Sequence, residues 1–222
     1  MQNYRIFAAE RNFIAAKLRD YCAMTPDMFS ALAVFAFVTS VTPGPNNLML
    51  MASGANFGFR RTIPHMLGIG LGFSFMVALM GVGLAQLFDA FPQSYTVLKS
   101  LSVAYLLYLA WKIANASAPD SARLTGKPMS FVQAAAFQWL NPKAWAMALT
   151  AISAYAPDQS TGAILWVALI FGAINLPSVS SWTFLGLQMR RILTNPGRLR
   201  AFNWGMAALL LATLVPILFQ PA

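Results

Sequence analysis

The polar side chains able to bind a small solute gather at two interruptions of otherwise apolar sequence. The first is Thr42-Pro43-Gly44-Pro45-Asn46-Asn47, inside the apolar run 28–51; the second is Gln138-Trp139-Leu140-Asn141-Pro142-Lys143, inside the run 131–154. Pro43, Pro45 and Pro142 lack a backbone N–H and restrict the residue before them, so neither run can form one unbroken helix. Asn141-Pro142 has the form of an N-cap with proline at the first helical position, and Thr42-Pro43 or Asn46 offers the same start in the first run. A helix beginning there leaves its first amides unpaired and carries roughly half a positive charge at that end. Lys143 adds a full charge beside one of the two starts, and the natural guest of such a constellation is a carboxylate.

The candidate substrate-binding set is therefore Thr42, Pro43, Gly44, Pro45, Asn46, Asn47, Gln138, Asn141, Pro142 and Lys143. Lys143 also reads as a side chain snorkelling to the headgroups, but a mid-span position puts those at the limit of its stem. Asp27, Asp89, Asp120 and Asp158 all fall outside the apolar runs, so no buried carboxylate waits for a second positive charge on a ligand. Asn46, Asn47, Gln138 and freed backbone carbonyls are enough to accept from one ammonium group. A neutral zwitterion thus fits better than lysine or arginine.

The elements that position these residues must lie in a bilayer. Of 222 residues 58% are apolar and 9% charged, against soluble averages of about 45–50% and about 25%. The net charge of +9 sits in short clusters between apolar runs, as in cytoplasmic loops of membrane proteins, and no basic domain remains to bind nucleic acid. Cys22 is the only cysteine, which excludes a disulfide framework, a thiolate metal cluster and a paired-thiol relay. No phosphate-cradling Gly-rich loop with Lys-Ser or Lys-Thr occurs, and no cofactor is expected. Irregular backbone at membrane depth survives only when buried in protein or lining a wet cavity. Both breaks fall roughly 15–22 Å into their runs, near the middle of a hydrocarbon core about 30 Å thick.

Apolar runs at 28–53, 62–88, 95–115, 131–155, 162–187 and 202–219 predict an all-α polytopic membrane protein with six transmembrane helices. They divide into two three-helix repeats, 28–113 and 128–222, joined by a loop-like linker at 114–127. An odd-numbered repeat must be inverted, and the matched breaks in helices 1 and 4 are the pattern of secondary transporters. Arg60 and Arg61, then Lys112, Arg123 and Lys127, then Arg190, Arg191, Arg198 and Arg200 mark cytoplasmic loops, with Asp89 and Asp158 outside. Residues 1–27 read as a leader, either amphipathic on the membrane surface or disordered and non-native, with Met24 or Met28 as alternative starts. Its basic residues lie on the wrong side for the charge rule.

Several further positions carry two readings. Gly68 and Gly72 have the spacing that lets helices approach closely, or they line a pathway. His65 follows Pro64 at the cytoplasmic mouth of the second span, where it is either solvated or handles protons. Trp111, Trp166 and Trp204 fit an interfacial belt, whereas Trp139, Trp145 and Trp182 lie deeper, packing or walling a cavity. Asn175, Pro177, Ser178, Ser180 and Ser181 make the fifth span polar, as a softened proline kink or as cavity lining.

Val41-Thr42-Pro43-Gly44-Pro45-Asn46-Asn47, Gly58-Phe59-Arg60, the run from Tyr105 to Lys112 and Leu140-Asn141-Pro142-Lys143 together resemble the LysE-type amino-acid exporters. The likeness is nearest to their RhtB branch, which exports homoserine, threonine and neutral amino acids. It implies a multi-pass carrier of the bacterial inner membrane that exchanges an amino acid for protons. The Thr-Pro-Gly-Pro-Asn-Asn form looks most like cysteine and O-acetylserine exporters. The alternatives are an intramembrane enzyme and a passive channel for small carboxylated metabolites; the former lacks a visible nucleophile with a base.

Overall fold

The computed structural model describes residues 25–84, 90–91, 93–116, 127–156 and 160–215. The leader before Thr25, Asp89, Asp120, Arg123, Asp158 and most of the 114–127 linker lie outside the described residues.

Helix α1, Pro26–Val41, starts where Thr25 accepts a hydrogen bond from the Met28 amide, with Pro26 in the first turn. It stops at Thr42, which is extended because Pro43 follows. Helix α2, Pro45–Phe57, resumes after Gly44 at an angle of 54° to α1. Gly58, at φ 80°, makes the sharp turn into α3, Phe59–Leu79, which runs on through a π-helical turn at Met80–Leu84. Helix α4, Gln93–Ala114, completes the first half.

The second half begins with α5, Phe131–Phe137, opened by a reciprocal capping box between Ser130 and Gln133. A tight 3-10 turn, Gln138–Leu140, leads to extended Asn141 and then to α6, Pro142–Tyr155. Helix α7, Thr161–Ile192, is 32 residues long and contains Pro177; α8, Pro196–Ala212, is capped by Asn195.

Among the described residues all regular structure is helical. Three helical stretches, Phe59–Gly83, Thr96–Ala114 and Thr161–Ile192, are long and apolar enough to cross a bilayer, and the bent α1–α2 pair makes a fourth. The six spans expected from the sequence are thus met in part. The second broken helix is divided into α5 of 7 residues and α6 of 14, and α8 has 17, each short of a full span alone.

Helix α7 is the central post, with α1, α2 and α3 packed on it, while α3 also packs on α5 and α4 on α8. The α2–α7 crossing is so close that a Cβ at Gly54 or Gly186 would overlap the Thr183 or Met51 carbonyl oxygen. Gly68 and Gly72 face Phe131, Ala134 and Ala135 of α5, which is the packing role.

The apolar interior forms two clusters. One joins Leu32 and Ala36 to Phe73, Met76, Ala148, Val167 and Phe171. The other joins Leu48, Leu50, Ile69, Leu106, Phe137, Val179 and Leu210. Buried Ser40, Asn47, Gln138, Asn141 and Asn175 belong to neither cluster and come from the helix stretches where one gives way to the other.

His65 departs from expectation. It does not sit solvated at a mouth: α3 already begins at Phe59, and the imidazole is 2% exposed with neither ring nitrogen hydrogen-bonded. The Gly58 turn lets the helix start before Pro64, which stands as its sixth residue. Trp111, Trp166 and Trp204 are at least half exposed, as a belt requires.

Candidate functional site

The first break is built so that its orphaned carbonyls find side-chain donors. Proline at 43 and 45 removes the amides that would have served Thr39 and Val41. Thr42 Oγ1 donates to the Thr39 carbonyl at 3.0 Å, and Trp182 Nε1 on α7 donates to Val41 O at 3.1 Å. Asn47 Nδ2 reaches back to both Ser40 O and Thr42 O at 2.8 Å. An unpaired carbonyl at this depth costs several kcal/mol, so these donors make the irregular backbone stable.

The second break follows the expected capping logic. Asn141 Oδ1 accepts from the Lys143 amide at 3.2 Å, its carbonyl accepts from Ala144 and Trp145, and Pro142 occupies the first turn. The start of α2 differs. Neither Thr42 nor Asn46 caps it; extended Gly44 holds the cap position and no side chain bonds there, so this end lacks a side-chain cap.

Lys143 joins the two breaks. Its Nζ donates to Thr42 O at 2.7 Å and to Thr42 Oγ1 at 2.8 Å, with Pro43 O at 3.5 Å. The ammonium therefore rests on the carbonyl end of α1, where the helix dipole is negative, and not beside its own helix start. Snorkelling to headgroups is not what the side chain does here. A Cβ on Gly44 would lie 2.8 Å from Lys143 Cδ and 3.3 Å from Nζ, so the glycine clears the path of the lysine stem.

A second tie is an amide pair. Asn46 Nδ2 donates to Gln138 Oε1 at 2.8 Å, and Gln138 Nε2 donates to Ala134 O at 2.8 Å and returns to Asn46 Oδ1 at 3.4 Å. Trp145 Nε1 donates to the Trp139 carbonyl at 2.9 Å, and the two rings pack edge to face.

Between these ties lies a small polar cavity, part of it open to the exterior. Gly44, Asn46, Asn47, Asn141 and Lys143 of the expected set line it. Thr42 and Pro43 touch the lysine ammonium and are exposed, while Gln138 stands behind Asn46, fully buried. Pro45 and Pro142 shape the helix starts without lining the space. Thr39, Ser40, Ala144, Met147, Asn175 and Val179 complete the wall and were not in that set. The polarity of its span marks Asn175 in the sequence. Ser40 and Thr39 belong to the first break, but nothing in their types distinguishes them.

A helix broken between two apolar clusters, with a basic side chain from a second break closing on it around a polar cavity, is an arrangement found in membrane transporters. The chain belongs to the LysE type translocator family, whose pattern it matches over residues 37–215. Among curated relatives it is similar to the cysteine/O-acetylserine efflux protein of Escherichia coli (strain K12), with 32% identity over 200 residues, 88% of this chain and 100% of that protein. The same identity and coverage hold for the proteins of that name from Shigella sonnei (strain Ss046) and Shigella flexneri serotype 5b (strain 8401). No solved structure matches this one.

Proposed function

We propose that the protein exports a neutral amino acid or a close derivative across the bacterial inner membrane in exchange for protons, as a member of the RhtB branch. The observation that carries this reading is the Lys143 ammonium, drawn across from the second break to the first beside a polar cavity. The substrate carboxylate takes the place of the Thr42 and Pro43 oxygens on Nζ and meets the uncapped start of α2. Asp27 is the one acidic side chain among the described residues and lies on the exposed first turn of α1, which supports a substrate without a second positive charge. The names of the relatives favour cysteine or O-acetylserine as first candidates.

The architecture proposed for this cycle is two inverted three-helix repeats, 28–113 and 128–222, with the 114–127 linker and the other basic loops in the cytoplasm. Pairing of α3 with α7 and of α4 with α8 supports it, since each pair joins corresponding helices of the two repeats. Alternating access then rocks one half against the other around the mid-depth site.

The test is efflux of labelled neutral amino acids from proteoliposomes bearing the parent protein or Lys143→Met. Loss of one charge-assisted contact, about 1.5–3 kcal/mol, weakens substrate binding about 10-fold to 150-fold, with insertion unchanged. Lys143→Arg restores part of it, because the charge returns with a different shape. Equal affinity in Lys143→Met and parent refutes the carboxylate site. Transport that never runs uphill under a proton gradient makes the protein a passive channel.

A further inference from the structure

The polar residues of α7 divide sharply by what their side chains do. Ser178, Ser180 and Ser181 bond back to the carbonyls of Ile174, Leu176 and Ser178 in their own helix, at 2.9, 2.7 and 2.6 Å. Asn175 does not. It is 5% exposed, lines the cavity opposite the first break, and donates through Nδ2 to Ser40 Oγ at 3.1 Å, while its Oδ1 has no hydrogen-bond partner. A buried carbonyl oxygen left without a donor is destabilising, and an acceptor kept in that condition at a ligand cavity invites a donor from the ligand.

Several other polar groups of the cavity are already engaged. Asn46 is paired with Gln138, Asn141 Oδ1 takes the Lys143 amide, and Asn47 Nδ2 serves the break carbonyls. We propose that Asn175 Oδ1 accepts a hydrogen bond from the substrate's α-ammonium group, so that a zwitterion spans the cavity from Lys143 at its carboxylate to Asn175 at its nitrogen. This deepens the exporter reading and rests on it. A neutral amide in this place holds one ammonium without adding a negative charge that would draw in lysine or arginine. The site thereby selects amino acids against the corresponding simple carboxylic acids.

The experiment compares, in proteoliposomes, a panel of labelled neutral amino acids with their des-amino counterparts, such as cysteine with 3-mercaptopropionate and threonine with 3-hydroxybutyrate. The parent protein is expected to favour the amino acid. Asn175→Ala lowers affinity for the amino acid about 10-fold to 150-fold and leaves that for the des-amino acid unchanged, so the preference collapses. Asn175→Asp, which keeps size and shape, retains the amino acid and repels the des-amino anion, so the preference rises. If Asn175→Ala weakens both compounds alike or neither, or if Asn175→Asp weakens both alike, the amide does not meet the ammonium and the proposal is overturned while the exporter reading stands. A parent protein that moves no member of the panel overturns the exporter reading and the proposal together.

Discussion

Gly44 offers a quantitative check on the bridge between the two breaks. Its backbone is extended, at φ −173° and ψ 176°, so alanine can adopt it without strain. The new Cβ would stand 2.8 Å from Lys143 Cδ, where ordinary contact begins at 3.4 Å, and 3.3 Å from Nζ. Cδ must therefore give way by about 0.6 Å and Nζ by about 0.1 Å, so the stem has to swing aside and the 2.7 and 2.8 Å bonds to Thr42 are strained. Misplacing the ammonium is expected to weaken substrate binding by at most about 1.5–3 kcal/mol, the value of a whole charge-assisted contact. Alanine is also a poorer N-cap than glycine, which adds a smaller loss of helix stability unrelated to the lysine. A double-mutant cycle separates the two. In a Lys143→Ala background the capping loss remains but the clash is gone, so Gly44→Ala is expected to change affinity hardly at all. The assay is binding of a labelled neutral amino acid to purified protein in detergent, with parent, both single variants and the double variant measured together. Additivity within about 0.5 kcal/mol refutes the claim that Gly44 acts through Lys143.

Two further outcomes are expected, one from the contacts of the first break and one from the charge of the loops. Trp182→Phe removes the donor to Val41 O and is expected to lower stability by about 1–3 kcal/mol, read from the denaturant midpoint in detergent; an unchanged midpoint means the carbonyl finds another partner. Single cysteines at positions 60, 123 and 198 are expected to be shielded from a membrane-impermeant maleimide in intact cells, and those at 89 and 158 labelled. Labelling at 123 from outside would reverse the topology.

The breaks were legible because proline acts on its immediate neighbours, whatever the rest of the chain does. Asn141 was legible as a cap for the same reason. What the sequence hid was the set of partners. Nothing local says that Asn47 turns back to serve Ser40 and Thr42, or that Trp182 reaches Val41 from across the fold. Gly44 has a φ that any residue adopts, and its use is clearance for a lysine remote in sequence. Lys143 was found, but its resting contact was not, since the carbonyl end of α1 comes to it only when the two halves assemble. His65 was misplaced because the apolar run begins only at Thr62, whereas the positive φ at Gly58 lets α3 begin at Phe59. Six apolar windows were visible, but a hydropathy window does not register that α5 ends after 7 residues.

The Asn46–Gln138 amide pair has a mechanical consequence. It pins the two interruptions together at the level of the cavity, by side chains of one helix start and one tight turn. Separating the two halves along their whole length requires rupturing that pair. Tilting one half about it does not. In the rocking cycle proposed above the pair would therefore serve as a fulcrum, letting the seam part on one face as it tightens on the other.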